Sequence, residues 1–314
     1  MFEQKTKIEI TGSSQEDIYC PFCKQTEIYT KFKLTDHNIL RCSSCDFMWL
    51  YPQPTLGQLK EVYDISYFKN AEFFEGNDAT LYGYHDYLAE RFTKQEEYSP
   101  IILKAKKLLR NGEDVNPLFL DVGCGLGFFM DVAQDEGCQV SGIEFNASAV
   151  ERIRSKYIFP VFLGDILEFP DDQVYDIAAM MDVIEHFQHP IEAIKKIHQI
   201  LKPGGILVLS TMDCDSIVSR LLGKRLEDFR RVNEHLYFFT KKTISTLLEQ
   251  EGFKVMDVKY NGHTFRLDFL ANRLKNVSLT GGRFITFLVN LFGLSKSRIN
   301  LNPRTKILIF ARKK

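Results

Sequence analysis

The sequence predicts an α/β protein built on a mostly parallel sheet, with a small metal-bound module ahead of it. Three observations carry that expectation. From Pro117 onward, apolar runs of strand length alternate with stretches of helical periodicity, which calls for right-handed crossovers between parallel strands. The first of those runs, FLDV, leads directly into GCGLG, with glycines at alternate positions 123, 125 and 127. Upstream, Cys20, Cys23, Cys42 and Cys45 form C-x₂-C-x₁₈-C-x₂-C, the spacing of two knuckles that close one tetrahedral thiolate site.

Taken in order, residues 1–17 are polar and expected to be loosely ordered, and 18–54 hold both cysteine pairs. Residues 55–115 read as mostly helical and aromatic-rich, closing on the amphipathic stretch IILKAKKLLR. The main domain is expected over 116–314. Its strands are LFLDV, QVSGIE, a short one near PVFLG, VYDIAAMM and ILVLS, and its helices follow Gly127, then cover ASAVERIRSKY and IEAIKKIHQIL. The last of these helices is the clearest: Ile191, Ile194, Ile197 and Leu201 share one face, Pro190 stands at its start and KPGG follows it. An irregular stretch comes after Met212, then the helix KKTISTLLEQEG, the strand FKVMDVKY, an insertion around 262–303 and a final strand TKILIFAR.

With 314 residues and 45% hydrophobic content, the chain can bury one full α/β core and a small module. The net charge of −1 conceals an asymmetry, because there are 20 basic and 34 acidic residues before Arg220 but 20 and 7 from it onward. An anionic partner for the second half is the expectation. Neither a signal-peptide pattern nor an apolar run of ~18 residues is visible, which predicts a cytoplasmic protein. Seven cysteines in such a chain argue for metal ligands and buried thiols; Cys124, Cys138 and Cys214 read as packing residues.

The glycine loop discriminates among ligands. A dinucleotide fingerprint requires a third glycine where Phe128 stands, so the phosphate reading weakens. Asp121, at the end of the first strand, would repel a pyrophosphate and attract an ammonium. Glu144, ending the next strand, can accept both hydroxyls of a ribose, and the following helix N-terminus can hold a carboxylate. Ammonium, carboxylate and ribose without phosphate describe S-adenosylmethionine.

DVGCGLG, the acid in GIEF, GDILE, DVIEHFQHP and LKPGGILVLS, in this order, closely resemble class I S-adenosylmethionine-dependent methyltransferases over about residues 117–260 and the last strand. The resemblance implies a Rossmann-like seven-stranded sheet, its last strand antiparallel, with helices on both faces. It places Asp121, Gly123, Gly125 and Gly127 at the methionine end, Glu144 at the ribose, Asp165 at the adenine amino group, and Met181 and Asp182 along the cofactor wall. Phe145 and Ile166 complete the implied cofactor set.

A zinc ribbon before such a domain resembles sugar C-methyltransferases of deoxysugar pathways and, alternatively, ribosomal RNA guanine methyltransferases. Four Cys ligands and FMWLYPQPTLGQLKEVYD favour the sugar-pathway enzymes, whereas the basic second half would suit RNA. A structural Zn²⁺ is expected, since four thiolates leave no open position. Two Glu-His pairs could serve acid–base chemistry, Glu185-His186 and Glu234-His235. His235 with Glu234 is the favoured base, as the sugar enzymes show a similar pair there; His186 belongs to a segment shared whatever the acceptor. By the same resemblance Tyr63 could touch acceptor or cofactor. A cofactor-binding relative without turnover is the remaining alternative.

From Phe269 to the end there are 10 basic residues and no acid. Within that stretch, RFITFLVNLFGL (283–294) reads as a helix with Thr286, Asn290 and Gly293 on one face and apolar residues elsewhere, suited to capping the site or lying on a membrane surface. The expected acceptor is a small molecule, a sugar or phosphate-bearing sugar.

Overall fold

The computed structural model describes residues 18–62, 87–109, 116–226, 229, 231–232, 234–267, 271, 279–295 and 297–314. The strands are β1 (Ile28–Lys33), β2 (Asn38–Cys42), β3 (Met48–Tyr51), β4 (Leu118–Val122), β5 (Gln139–Glu144), β6 (Val161–Leu163), β7 (Tyr175–Met181), β8 (Leu201–Met212), β9 (Tyr237–Phe238), β10 (Phe253–Tyr260), β11 (His263–Arg266), β12 (Arg298–Leu301) and β13 (Lys306–Lys313). The α-helices are α1 (Leu56–Val62), α2 (Tyr87–Leu108), α3 (Phe128–Asp135), α4 (Ala147–Lys156), α5 (Pro190–Ile200), α6 (Ile217–Leu222), α7 (Lys241–Gln250) and α8 (Leu279–Leu291). Tyr63 lies outside the described residues.

Seven strands form the central sheet in the order β10-β13-β8-β7-β4-β5-β6. β4 pairs in parallel with β5 and β7, β5 with β6, and β7 with β8, whereas β13 runs antiparallel to both β8 and β10. This is the expected sheet with its last strand reversed. Alternation of side chains along each strand creates two cores. On one face Leu120, Val122, Met180, Leu207, Leu209 and Ile309 pack against α5 and α7. On the other, Phe119, Ile177, Ala179, Val208, Leu308 and Phe310 pack against α2, α3 and α4.

Local chemistry sets the helix boundaries. Asn146 caps α4 by accepting from Ala149 N at 3.0 Å, and Thr240 and Thr243 cap α7 reciprocally. Proline opens α5, which stops at Ile200. KPGG then forms the first turn-like part of β8, with Gly204 at φ 80°, and is not a separate loop.

Two further differences from the sequence expectation concern the second half. The stretch after Met212 is not simply irregular, since it carries α6 and β9. β9 pairs antiparallel with β3, so the cysteine module's sheet is β1-β2-β3-β9 and draws its fourth strand from the main domain. Helix α8 also presents an unexpected face. Val289 and Gly282 are buried, while Phe284, Phe287 and Leu291 are 61%, 60% and 62% exposed, so the apolar stripe points to solvent. No helix among the described residues is long and apolar enough to cross a membrane.

Candidate active site and cysteine centre

The carboxyl ends of β4, β5, β7 and β8 gather the polar residues of the main domain. β4 ends in Asp121-Val122, and the chain then turns through Gly123, Gly125 and Gly127, at φ 72°, 53° and 83°, before α3 begins. Only glycine adopts those angles cheaply. At Gly123 there is a second reason, because a Cβ would lie 2.6 Å from a methyl of Val183. Gly142 on β5 keeps the loop close from below; a Cβ there would meet Cys124 Sγ and Met130 Sδ at 2.8 Å.

Asp121 is 2% exposed and makes no hydrogen bond or ion pair among the described residues. Burial, with the Glu144 carboxylate nearby, pushes its carboxyl up to about 8. A buried acid without a partner is costly, and a ligand cation would relieve it. Glu144 accepts from Gly125 N and Asn146 N, each at 2.8 Å, one on each oxygen. Burial raises its pKa against those bonds. Each of its oxygens keeps a lone pair that could accept a ligand hydroxyl. Phe145, beside it, is 40% exposed.

Asp165 caps the short 3₁₀ turn over Ile166–Glu168, accepting from Leu167 N at 2.8 Å, and Ile166 is buried. The cap uses one carboxylate oxygen of Asp165. Met181 and Asp182 end β7. Asp182 adopts φ 57°, accepts from Ser210 Oγ at 2.7 Å and pairs with Lys306 at the start of β13. Placement of these groups along one sheet edge agrees with the expected order, and the residues fit an ammonium and a ribose.

Beside this edge lies a second cluster. The 3₁₀ turn Ile184–His186 brings Glu185 and His186 next to His235, whose ring meets that of His186 edge to face at a centroid distance of 4.9 Å. Leu236 N donates to Glu185 O at 2.9 Å and Tyr237 Oη to Gln188 O at 3.0 Å, so the two Glu-His segments are laced together. Burial pushes His186 down to about 4 and His235 well below its ordinary value, and pushes Glu185 up to about 8, with the charge of Asp182 adding to the last shift. Glu234 is buried and faces Arg231 at 3.5 Å. His186 and His235 are therefore one site, not alternatives. Glu185, which the sequence offers in a pair with His186, joins both imidazoles there. Lys306, Ser210 and Thr211 carry no local signal, because Ser210 and Thr211 reach the site through the pairing of β8 with β7, and Lys306 through that of β13 with β8.

The cysteine module is built from two equivalent knuckles. Lys24 N donates to Cys20 O and Asp46 N to Cys42 O, and both Lys24 and Asp46 adopt positive φ. Cys20 and Cys45 Sγ are 3.5 Å apart, as are Cys23 and Cys42, and all four lie within 4.8 Å of one another. Zn–S bonds of ~2.3 Å give tetrahedral edges of about 3.8 Å, which these sulfurs fit. Cys124, Cys138 and Cys214 are buried and stand outside this group of four, as expected of packing residues.

Module and domain share a core. Phe47 packs against Tyr237 and Phe239 at centroid distances of 5.7 and 5.5 Å, and Leu50 N donates to Leu236 O at 2.9 Å. Asp46 bridges Arg41 and Lys242.

A family model described as a methyltransferase domain matches residues 92–258. A Mycolicibacterium smegmatis protein described as a probable S-adenosylmethionine-dependent methyltransferase is 27% identical over 148 residues, covering 46% of this chain and 54% of that one. A ubiquinone biosynthesis O-methyltransferase of Pseudomonas aeruginosa is 22% identical over 157 residues, 44% of this chain and 65% of that one. The chain thus spans about half to two thirds of these two relatives. Among solved structures, a SAM-dependent methyltransferase from Archaeoglobus fulgidus aligns over 73% of this chain and 100% of its own, with 19% identity and a TM-score of 0.47.

Proposed function

The chain belongs to the methyltransferase domain family, and we propose that it methylates a small-molecule acceptor, with a sugar or sugar nucleotide as the favoured class. The observation that carries this reading is the pair of buried carboxyls at adjoining strand ends, Asp121 without a hydrogen-bond or ion-pair partner among the described residues and Glu144 clasping the glycine loop. Asp121 would hold the ammonium of S-adenosylmethionine, Glu144 the ribose hydroxyls, and Gly123 to Gly127 the methionine end. Asp165, with Phe145 and Ile166, would border the adenine, and Met181 and Asp182 the wall. Bound there, the cofactor supplies a methyl group on a sulfonium, which an acceptor takes by in-line displacement.

This chain's own contribution is then alignment, exclusion of water and control of the acceptor's proton. His235, Glu234 and His186 stand as the groups that meet the acceptor and control that proton, because their cluster adjoins Asp182. The four cysteines would hold a structural Zn²⁺ that fixes β3 and, through it, β9. Relatives named for small-molecule methylation support a small acceptor. The all-Cys ligand set supports the sugar-pathway resemblance.

Helix α8 supports a phosphate-bearing or lipid-borne acceptor approached at an anionic membrane surface. Its exposed Phe284, Phe287 and Leu291, with Phe292 beside them, lie in a stretch with no acid from Phe269 onward. Calorimetric titration with S-adenosylmethionine and with NAD, for the natural chain and Glu144→Ala, tests the cofactor reading. The natural chain is expected to bind only the former and Glu144→Ala to bind it at least tenfold more weakly. Binding of NAD, or an unaffected variant, would refute it.

A further inference from the structure

Glu185 is the least explained titratable group of the site. It is 3% exposed, and its carboxylate receives hydrogen bonds from Thr211 Oγ1 at 3.0 Å and from its own N–H. Two cations of the site have carboxylate partners of their own: Arg231 pairs with Glu234 at 3.5 Å and Lys306 with Asp182. Among the described residues no ion pair reaches Glu185. Instead, one donor atom each from Glu185, His186 and His235 lie within 4.8 Å of one another.

The surroundings are those of a ligand set. A metal-binding imidazole generally donates its other N–H to a carbonyl, and His186 is hydrogen-bonded to the backbone of Glu234. A ligating carboxylate is generally aimed by a hydrogen bond, and Thr211 supplies one. Metal bonds of ~2.1 Å place neighbouring donors about 3.0–3.5 Å apart, so small side-chain rotations would close the triad on an ion.

We propose that Glu185, His186 and His235 bind a divalent transition-metal ion at the acceptor site, separate from the four-cysteine centre. Two imidazoles and one carboxylate suit iron(II), cobalt(II), nickel(II) or zinc(II) and leave positions open, whereas magnesium and calcium prefer oxygen donors. This rests on the reading that the cluster faces the acceptor. For an acceptor that reacts through oxygen, an open position takes its hydroxyl, whose acidity the ion increases, so its proton passes to water without an imidazole accepting it directly. The acceptor oxygen then forms its bond to the methyl carbon as the carbon–sulfur bond breaks, and that electron pair stays on sulfur.

Cobalt(II) titration of metal-stripped full-length protein distinguishes the two centres. The thiolate centre gives intense sulfur-to-metal charge-transfer absorption, and a nitrogen–oxygen centre gives only weak visible bands. Two equivalents are expected, the second adding visible bands alone. Glu185→Gln and His235→Gln should lose the second equivalent and keep the first. Thr211→Val, which removes only the group aiming Glu185, should weaken the second site about tenfold. Saturation at one equivalent, or unchanged second-site affinity in all three variants, overturns the proposal. Calorimetry with S-adenosylmethionine on the same samples separates this from failure of the cofactor reading: lost cofactor binding in the natural chain would refute that reading whatever cobalt does.

Discussion

On the proposed reading, Asp121 ties cofactor affinity to pH. Its carboxyl titrates at about 8 in the cofactor-free fold, against an ordinary value of 3.8, because it is buried beside Glu144. A bound ammonium needs the carboxylate, so below pH 8 binding must expel one proton. Each pH unit is worth ~1.36 kcal/mol, or tenfold. With the carboxyl half-ionised at pH 8 and the ligand's ammonium half-deprotonated there, affinity for S-adenosylmethionine should therefore rise about 25-fold from pH 6 to pH 8. An α-amino group loses its own proton near ~8, so affinity should fall again above that, giving a maximum close to pH 8. The same shift has the opposite effect on folding. A carboxyl with a raised folded pKa keeps a proton that the unfolded chain releases, so stability declines as pH climbs from about 4 to 8, by about 4 kcal/mol at pH 7. Asp121→Asn removes that loss and leaves an amide to bury at a cost of ~1–3 kcal/mol. The cofactor-free variant should be more stable than the natural protein at pH 7 by about 1–3 kcal/mol, lose that advantage by pH 4, and bind cofactor weakly without the acid limb. Calorimetry in buffers of different ionisation enthalpy measures the proton release, and urea melts measure stability. Flat affinity between pH 6 and 8, or the natural pH profile in the variant, would refute the reasoning.

Other expectations are more local. Gly123→Ala combines positive φ with a Cβ 2.6 Å from Val183, and should lower stability by ~1–3 kcal/mol in thermal melts and abolish cofactor binding. Tyr260→Phe breaks a 2.9 Å hydrogen bond to buried Asp213 and should cost ~1–3 kcal/mol by urea denaturation. Phe284→Asp with Phe287→Asp should leave the melting temperature within a degree or two and abolish co-sedimentation with anionic vesicles; equal sedimentation would remove α8 as a membrane contact. Cys42→Ser, or zinc chelation, should lower the melting temperature and also slow methyl transfer, because the four-stranded sheet of the module ends in the strand beside His235.

How much of this was legible in the sequence depends on how far each signal reaches along the chain. DVGCGLG, GIEF and GDILE are local: strand, turn glycine and strand-end acid lie within a few residues, and Asp121, Glu144 and Asp165 stand where those segments place them. The paired cysteines are legible for the same reason, since each knuckle is a tight turn of its own. β9 is two residues long and exists because β3 offers an edge, so nothing within YF announces it. Lys306 reaches Asp182 across 124 residues through β13 pairing, which a single chain does not encode locally. The apolar pattern of α8 is plain, but periodicity alone does not say which face is packed, and here the small residue Gly282 is buried while the phenylalanines face out.

The strand that β9 lends to the cysteine module makes an exchange of parts asymmetric. A graft of residues 18–54 onto another scaffold would arrive with one edge of β3 unpaired and Phe47 stripped of Tyr237 and Phe239. Conversely, transplanting 229–240 to change acceptor preference would carry away one edge of the module's sheet. The two distant segments are a matched set, and recombination that respects the visible boundary between them would divide a single sheet and its core.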